Sequence, residues 1–127
     1  MGDDDVVLVR AVYETWNRDG PRAIGALLTD DVELHDAPEL PDAQVWRGTN
    51  AVIGRLEEVA RSVGSGSGEI LGIRRADEDV LVTLHWLLPR EDGGVDDLGQ
   101  VFHLLTVEDG RITRIRVFLT ESEALRA

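Results

Sequence analysis

The chain has 127 residues, with 13 Lys+Arg against 25 Asp+Glu, and its formal net charge is −12. It contains no Cys, and every basic residue other than His is Arg. These absences exclude a thiolate nucleophile, a disulfide, Cys-ligated zinc and a lysine Schiff base. The negative charge argues against nucleic acid or an anionic membrane surface as a partner, because phosphate contact needs clustered cations.

The length predicts a single domain over residues 1–127, with a core large enough to fold without disulfide or metal staples. No apolar run approaches the roughly 20 residues that cross a bilayer, so we expect no membrane partner. The first residues, Met1-Gly2-Asp3-Asp4-Asp5, are acidic, unlike the basic start of a signal peptide. We therefore expect a cytoplasmic protein.

Helical periodicity and two small strands characterise the first half of the chain. The first helix has an apolar stripe and ends at Asp19-Gly20-Pro21, where Gly suits the C′ position. A short second helix follows with Ile24, Leu27 and Leu28 on its apolar face, and Thr29-Asp30-Asp31 ends it. Strands are predicted over Val32–Asp36 and Val45–Arg47. A third amphipathic helix then starts with Thr49 or Asn50 as its N-cap.

The second half of the chain predicts an antiparallel meander. A flexible connector, Gly64-Ser65-Gly66-Ser67-Gly68, leads into it, and Asp109-Gly110 is a strong hairpin signal. The capping-box pattern Thr120-Glu121-Ser122-Glu123 opens a tail helix. The four predicted long strands are Glu69–Arg75, Val80–Leu88, Gln100–Val107 and Arg111–Leu119. Helices first and a meander afterwards indicate an α+β fold, with helices on one face of a curved sheet.

Four local motifs, in this element order, resemble the nuclear transport factor 2 superfamily, and most closely its SnoaL-like and ketosteroid-isomerase-like branch. The motifs are Tyr13-Glu14-Thr15-Trp16-Asn17, the segment from Ile24 to Asp36, Trp46-Arg47-Gly48-Thr49 and Asp109-Gly110-Arg111-Ile112. The resemblance implies a cone-shaped curved antiparallel sheet wrapped by three helices from the N-terminal half, a cystatin-like α+β barrel. It also implies a pocket whose mouth lies near the first helix and the first strand.

The resemblance implies catalytic roles for Asp36, Tyr13 and His103. Asp36 matches the carboxylate that shuttles a proton in the isomerase branch, and Tyr13 matches its oxyanion-hole tyrosine. His103 falls near the position of a second donor, which is a neutral carboxylic acid in that branch. Each residue also has an ordinary structural interpretation: a turn-forming Asp before Pro, a core aromatic and a structural His.

The expected ligand-binding residues are apolar and aromatic. Strand alternation predicts that Ile115 and Val117 face inward while Arg114 and Arg116 face outward. His85 shares a strand face opposite to Trp86, and we expect the Trp86 face to be the core side. Flat-ligand packing or plain core packing both explain the three tryptophans, so the predicted lining set is Trp16, Trp46, Trp86, Ile115 and Val117. Relatives often dimerise through the outer sheet face, which predicts a homodimer.

The resulting hypothesis is an acid–base enzyme acting on a hydrophobic carbonyl compound by isomerisation, cyclisation or dehydration. It requires no cofactor. No metal is expected either, because strand alternation separates His35 from Asp36. An alternative is a non-catalytic ligand-binding or accessory dimer of the same fold.

Two further enzyme classes of this fold, the limonene-type epoxide hydrolases and the dehydratases, are alternatives. Limonene-type epoxide hydrolases use two carboxylates bridged by an Arg, and Arg75-Ala76-Asp77 and Arg90-Glu91-Asp92 match the spacing of one such pair. The dehydratase branch uses paired histidines together with Tyr and Asp, for which His85 and His103 are the available imidazoles.

Overall fold

The computed structural model describes residues 2–40, 43–63, 68–89 and 92–127. Within these ranges the side chains of 2–3, 60–63, 68–69, 86–89 and 95–98 are outside the description. The first half contains α1 (Gly2–Asp19), a 3-10 helix (Pro21–Leu27), β1 (Leu28–His35), β2 (Val45–Arg47) and α2 (Thr49–Val63). The second half contains β3 (Gly68–Ala76), β4 (Asp79–Pro89), β5 (Val95–Glu108), β6 (Arg111–Phe118) and α3 (Glu121–Arg126). None of the helices in the described ranges is both long and apolar enough to cross a bilayer.

The six strands form one curved, unclosed sheet in the order β2-β1-β6-β5-β4-β3. Strands β3 to β6 are the antiparallel meander that the sequence predicts. The predicted α+β class is confirmed, and the sheet is mixed because β1 runs parallel to β6. This parallel pair places His35, at the end of β1, opposite Arg116 of β6, so the residue that follows β1 lies near the C-terminal half of β6.

The main core lies between the sheet and the two long helices. Val9 and Val12 of α1 and Val52 and Leu56 of α2 pack there against the inward side chains of the strands. Val82 and Leu84 belong to this core, so the face of β4 that the sequence predicts to be inward is indeed buried against the helices. Curvature of the sheet around this layer creates the cavity described below.

Local backbone geometry explains two of the predicted chain reversals. Gly20 has φ 90° and its N–H donates to the Trp16 carbonyl at 2.7 Å, as expected for a glycine that ends a helix. Asp109 and Gly110 both have positive φ, at 52° and 76°, which is the geometry of a type I′ hairpin. The tail helix begins as predicted, since the Thr120 side chain accepts a hydrogen bond from the Glu123 N–H.

The predicted second helix is wrong at its C-terminal end. A 3-10 helix ends at Leu27, and the strand begins at Leu28 rather than Val32. Leu28 is buried because it pairs with Ile112 of β6, a long-range contact that helical spacing does not reveal. Thr29-Asp30-Asp31 therefore lies within β1.

Three other predicted boundaries also change. Strand β1 ends at His35, so Asp36 follows it instead of ending it, and the Asp36 N–H donates to the Gln44 carbonyl across the loop. The Thr49 hydroxyl donates to the Thr29 carbonyl, so it does not act as the N-cap of α2. Strand β5 starts at Val95, well before Gln100. Of the predicted connector, residues 64–67 lie outside the described residues, and Gly68 belongs to β3.

A second, smaller core lies on the outer face of the sheet. Here Ala124 of α3 packs against Leu81, Phe102 and Leu104, with Phe118 at its edge. Arg116, which lies on the same outer face, donates to Asp79 at 3.0 Å. Helix α3 therefore covers part of the outer face through which the sequence predicts dimerisation.

Candidate active site

A cavity of about 440 Å³ lies between the curved sheet, α1 and α2. This volume is within the range of about 300–1,000 Å³ that takes drug-sized ligands. Most of the wall is aliphatic, and the lining residues are Tyr13, Trp16, Leu34, Asp36, Ala37, Leu40, Arg55, Leu56, Glu58, Val59, Val101, His103, Ile115, Val117 and Leu119. Asp36, Tyr13 and His103, the three residues to which the sequence assigns catalytic roles, therefore share one cavity.

Asp36 presents a buried carboxylate to this cavity. Its side chain is 6% exposed. The Oδ2 atom accepts hydrogen bonds from the indole Nε1 of Trp46 at 3.0 Å and from the Gln44 N–H at 3.3 Å. The Oδ1 atom accepts one from the Nε of Arg55 at 3.3 Å. Asp36 is thus a fixed acceptor rather than an exposed turn residue, and Arg55 is the one described side chain that contacts Oδ1.

Arg55 connects Asp36 to a second carboxylate. Its Nη1 atom lies 3.5 Å from Glu58 Oε2, one turn further along α2. The guanidinium carbon lies 5.4 Å from the centre of the Trp46 ring, within the distance of a cation–π contact. Asp36, Arg55 and Glu58 form a cluster, called here the carboxylate–arginine cluster, in which one guanidinium serves two carboxylates.

Tyr13 and His103 form a hydrogen-bonded pair on the cavity wall. The Tyr13 hydroxyl oxygen lies 2.6 Å from His103 Nδ1, and both residues are 6% exposed. The ring of Trp16 lies nearly parallel to that of Tyr13, with centres 6.3 Å apart, and forms the next part of the wall. Helix α1 presents Tyr13 and Trp16 on one face because they are three residues apart.

Burial determines the protonation states of this pair. It lowers the pKa of His103 to about 4, so the imidazole is neutral at physiological pH. It also raises the pKa of the Tyr13 hydroxyl, which stays protonated. When a neutral His103 carries its proton on Nδ1 and donates to the phenol oxygen, the Tyr13 proton is free for a ligand. In the other tautomer, Tyr13 donates to Nδ1 and the free imidazole N–H is on Nε2.

The predicted ligand-binding residues divide into three groups. Trp16, Ile115 and Val117 line the cavity. Trp46 does not line the cavity. Its ring packs against Arg55 and its indole N–H donates to Asp36, so it contacts two residues that do line the cavity. Trp86 lies on β4, but its side chain is outside the described residues.

Arg55 and Glu58 are the site residues that sequence reasoning misses. The spacing of apolar residues in α2 predicts only which face is buried, and it predicts that the charged residues between them face solvent. The spacing within α2 does not single out Arg55 or Glu58 from its other charged residues. It also does not show that Arg55 contacts Asp36.

The predicted arginine–carboxylate pairs lie elsewhere. Arg75 makes an ion pair with Asp5 of α1 at 2.7 Å, and Asp77 lies in the β3–β4 turn with φ 57°. Arg90 and Glu91 are outside the described residues. His85 lies on the opposite face of β4 from Leu84, so it does not join His103 at the cavity. Across the described part of the chain, no three His, Asp or Glu side chains are grouped closely enough to hold a metal ion.

Solved structures with this fold share little sequence with the chain. Bal32a, from a soil-derived mobile gene cassette, superposes with a TM-score of 0.79 at 16% identity, covering 97% of this chain and 94% of that one. A protein from Jannaschia Sp. CCS1 assigned to the SnoaL-like polyketide cyclases has a TM-score of 0.74 at 16% identity, covering 98% and 90%. These similarities show the fold.

A third similar structure comes from Catenulispora acidiphila DSM 44928. This hypothetical protein with a ketosteroid isomerase-like fold, in complex with trimethylamine, has a TM-score of 0.71 at 18% identity, covering 94% and 89%. Among curated proteins, no sequence matches significantly. The family model of the SnoaL-like domain matches residues 9–115, which is most of the chain. The chain therefore belongs to the SnoaL-like domain family.

Proposed function

We propose that the protein is an acid–base enzyme that removes a proton next to the carbonyl group of a hydrophobic compound. The observation that carries the proposal is the placement of two kinds of group on one cavity. The Asp36 carboxylate is a proton acceptor, and the Tyr13–His103 pair supplies a proton donor. An aliphatic wall around them suits an apolar ligand and excludes water from charged intermediates.

The chemistry needs a base and a stabilised oxyanion. Asp36 Oδ1 takes the proton from the carbon beside the carbonyl. The electron pair of that C–H bond forms a C=C bond, and the π pair of the C=O bond moves to the oxygen. The enolate oxygen then accepts a hydrogen bond from the Tyr13 hydroxyl, while His103 Nδ1–H donates to the phenol oxygen. Return of the proton to a different carbon gives an isomer, and attack of the enolate on a second carbonyl gives a ring. The residues of the cavity carry out these steps without a cofactor.

Two other observations support this proposal. The Jannaschia neighbour carries the description of a SnoaL-like polyketide cyclase, and cyclisation is one of the outcomes proposed here. Neutral His103 also suits an oxyanion donor, because a neutral imidazole donates a proton without adding a buried charge.

The proposal is tested with 2-tetralone, an apolar ketone with an activated carbon beside its carbonyl. The protein is incubated with it in deuterium oxide, and deuterium incorporation is followed by proton NMR against buffer alone. Wild-type protein is expected to accelerate exchange, and Asp36→Asn to lower the rate by about 10²–10⁴-fold, the usual contribution of a general base. Binding of 2-naphthol, a planar analogue of the enol, is measured by fluorescence in both proteins.

The same experiment separates catalysis from simple binding. If both proteins bind 2-naphthol and wild type alone catalyses exchange, Asp36 is the base. If wild type binds 2-naphthol without accelerating exchange of 2-tetralone or of a steroid ketone, the non-catalytic ligand-binding function replaces the proposal. Exchange that survives in Asp36→Asn contradicts the role given to Asp36.

Epoxide hydration is a second candidate, and the carboxylate–arginine cluster favours it. Arg55 lies between Asp36 and Glu58 on the cavity, an arrangement of the kind that the epoxide hydrolases of this fold use. One carboxylate would take the proton of an attacking water while the Tyr13 hydroxyl protonates the opening oxygen. This function is tested by incubating the protein with limonene oxide. Wild type should form a diol and Asp36→Asn should not, and the absence of a diol with wild type would contradict this function.

Assembly and location complete the proposal. A homodimer through the part of the outer sheet face that α3 leaves uncovered is tested by light scattering on a size-exclusion column. The charge reversal Arg114→Glu on that face should weaken the dimer, whereas Arg18→Glu on α1 should not. Cytoplasmic location is tested by fractionating cells that carry a tagged copy.

A further inference from the structure

We infer that Arg55 is a positioning residue for Asp36 and that Glu58 controls how firmly Arg55 holds it. This inference rests on the proposed function, since it concerns the base of that reaction. It assigns separate roles to the three members of the carboxylate–arginine cluster: Asp36 reacts, Arg55 orients it, and Glu58 competes for the guanidinium.

The contacts of Asp36 come from three different elements. Trp46 Nε1 from β2 and the Gln44 N–H from the preceding loop both hold Oδ2. Arg55 from α2 is the one described side chain that contacts Oδ1. Two donors therefore hold Oδ2, and among the described side chains Arg55 is the one that restrains Oδ1. A misplacement of about 1 Å can lower a rate by about 10²-fold, so this contact matters for the reaction.

Arg55 is itself held in place. Its side chain is 17% exposed, and the guanidinium packs on the Trp46 ring while its Nε points at Asp36. Among the cavity-lining residues in the described part of the chain, Arg55 is the only cation. Trp46 thus contacts both members of the Asp36–Arg55 ion pair, which restricts the pair to one geometry.

Glu58 is placed to weaken this contact. It is half exposed and lies 3.5 Å from Arg55 Nη1, a different nitrogen from the Arg55 Nε that donates to Asp36. Because one guanidinium serves two carboxylates, its attraction to Asp36 is partly offset by its attraction to Glu58. When the Glu58 charge is removed, Asp36 is the one described carboxylate that still contacts Arg55.

The other described titratable groups near Asp36 are neutral or paired with other residues. Arg116 of β6, which lines a second cavity together with Asp36, donates to Asp79. Tyr13 of α1 and His103 of β5 lie on the cavity wall and are uncharged at physiological pH. His35, the preceding residue on β1, contacts Glu33 at 2.9 Å, and Glu33 also accepts from Arg47 of β2. Among the described residues, the charged side chain in contact with Asp36 is therefore Arg55, and Glu58 acts on Asp36 through Arg55.

The first experiment compares Arg55→Met with Arg55→Lys in the 2-tetralone exchange assay. Arg55→Met keeps length and loses the donors and the charge, so we expect exchange to slow by about ten- to a hundredfold. Affinity for 2-naphthol should change by less than about threefold, because the aliphatic wall is intact. Arg55→Lys should recover part of the rate. The matched control is Arg22→Met, which breaks the exposed Arg22–Glu57 ion pair outside the cavity.

The second experiment uses the pH dependence of exchange, which a merely structural role would not move in a defined direction. Protonation of the base stops the reaction, so the rate of exchange falls as the pH is lowered. This falling part of the pH–rate profile is called the acid limb. Without the Arg55 cation this acid limb should move to higher pH. In Glu58→Gln it should move to lower pH, because a negative charge is removed and Arg55 is no longer shared. Glu57→Gln, the neighbouring residue with the same charge change, should leave the limb in place.

The outcomes distinguish this inference from the proposed function. Absence of exchange in wild-type protein overturns the proposed function. Exchange that is lost in Asp36→Asn but unchanged in Arg55→Met overturns the inference alone, as do acid limbs that move in the same direction in Arg55→Met and Glu58→Gln. If Arg55→Met does not fold, Arg55→Lys and Glu58→Gln decide: an unchanged rate and limb in both overturn the inference.

Discussion

The Tyr13 hydroxyl oxygen lies 2.6 Å from His103 Nδ1, and the two groups share one proton between α1 and β5. Both side chains are buried, so water does not compete for this hydrogen bond. The contact joins residues that are 90 positions apart in the sequence, and it fixes the phenol at the cavity wall. Burial also keeps His103 neutral, which has a consequence for stability.

The free energy of unfolding should fall as the pH drops from about 6.5 toward 4. His103 has a pKa of about 4 in the folded protein, because burial disfavours its charged form, against 6.5 as the ordinary value. The unfolded chain therefore binds more protons than the folded protein in this window. The contribution of neutral His103 to the free energy of unfolding is complete above pH 6.5 and is lost as the pH falls toward 4. The full contribution is about 3 kcal/mol.

Urea unfolding at a series of pH values measures this effect. His103→Asn keeps an acceptor near the Nδ1 position and does not titrate, so its stability should depend less on pH between 4 and 6.5 than that of wild type. Carboxylates contribute to the acid dependence of both proteins and cancel in the comparison. Identical pH slopes in the two proteins would contradict the neutral, buried state of His103.

Tyr13→Phe should slow 2-tetralone exchange more than it weakens binding. Removing one oxyanion donor typically lowers a rate by about 10²–10³-fold. The ring still stacks beside Trp16, so affinity for 2-naphthol should fall only by the loss of one hydrogen bond. Rates and affinities are measured in the same samples. A parallel loss of both would mean that Tyr13 contributes to ground-state binding only.

The sequence predicts the layers of the fold because they depend on local periodicity. Alternation identifies the inward face of β6, and Ile115 and Val117 lie on the cavity. The Asp109-Gly110 hairpin depends on the conformational preference of two adjacent residues. Leu28 shows the limit: its place in β1 comes from pairing with Ile112, and no spacing near Leu28 distinguishes a helix end from a strand start.

The candidate site also contains residues that the sequence predicts and residues that it does not. Asp36, Tyr13 and His103 can be named because a family resemblance places them, and the structure locates them on one cavity. Trp46 and Arg55 cannot be assigned from the sequence. Their contacts with Asp36 depend on the angle between β2 and α2, which follows from the packing of the whole core rather than from either segment.

Trp46→Phe should destabilise the protein through Asp36. The indole N–H donates to a buried carboxylate, and a hydrogen bond to a charged group contributes about 1.5–3 kcal/mol. Phe keeps an aromatic face for Arg55, so the change removes the donor selectively. Urea unfolding of Trp46→Phe is compared with that of Trp16→Phe, which removes an indole N–H that has no partner among the described residues. Equal losses in the two variants would mean that the Trp46–Asp36 hydrogen bond contributes nothing.

Ala124→Asp should detach α3 and leave the main core folded. Ala124 is 1% exposed and packs against Leu81 and Leu104 in the outer core, which is separate from the core between the sheet and α1. A carboxylate there has no described partner in its apolar surroundings, and its burial costs several kcal/mol, so the short helix should leave the sheet instead. Limited proteolysis should then cleave near Arg126, and amide signals of β5 should shift.

Leu125→Asp is the matched control for this prediction. It introduces the same charge one residue later in α3, at a side chain that is 47% exposed. It should leave the proteolysis pattern and the β5 signals unchanged. Helix α3 follows Leu119, which lines the cavity, so detachment should also weaken binding of 2-naphthol in Ala124→Asp. If both variants behave like wild type, α3 does not depend on the outer core for its position.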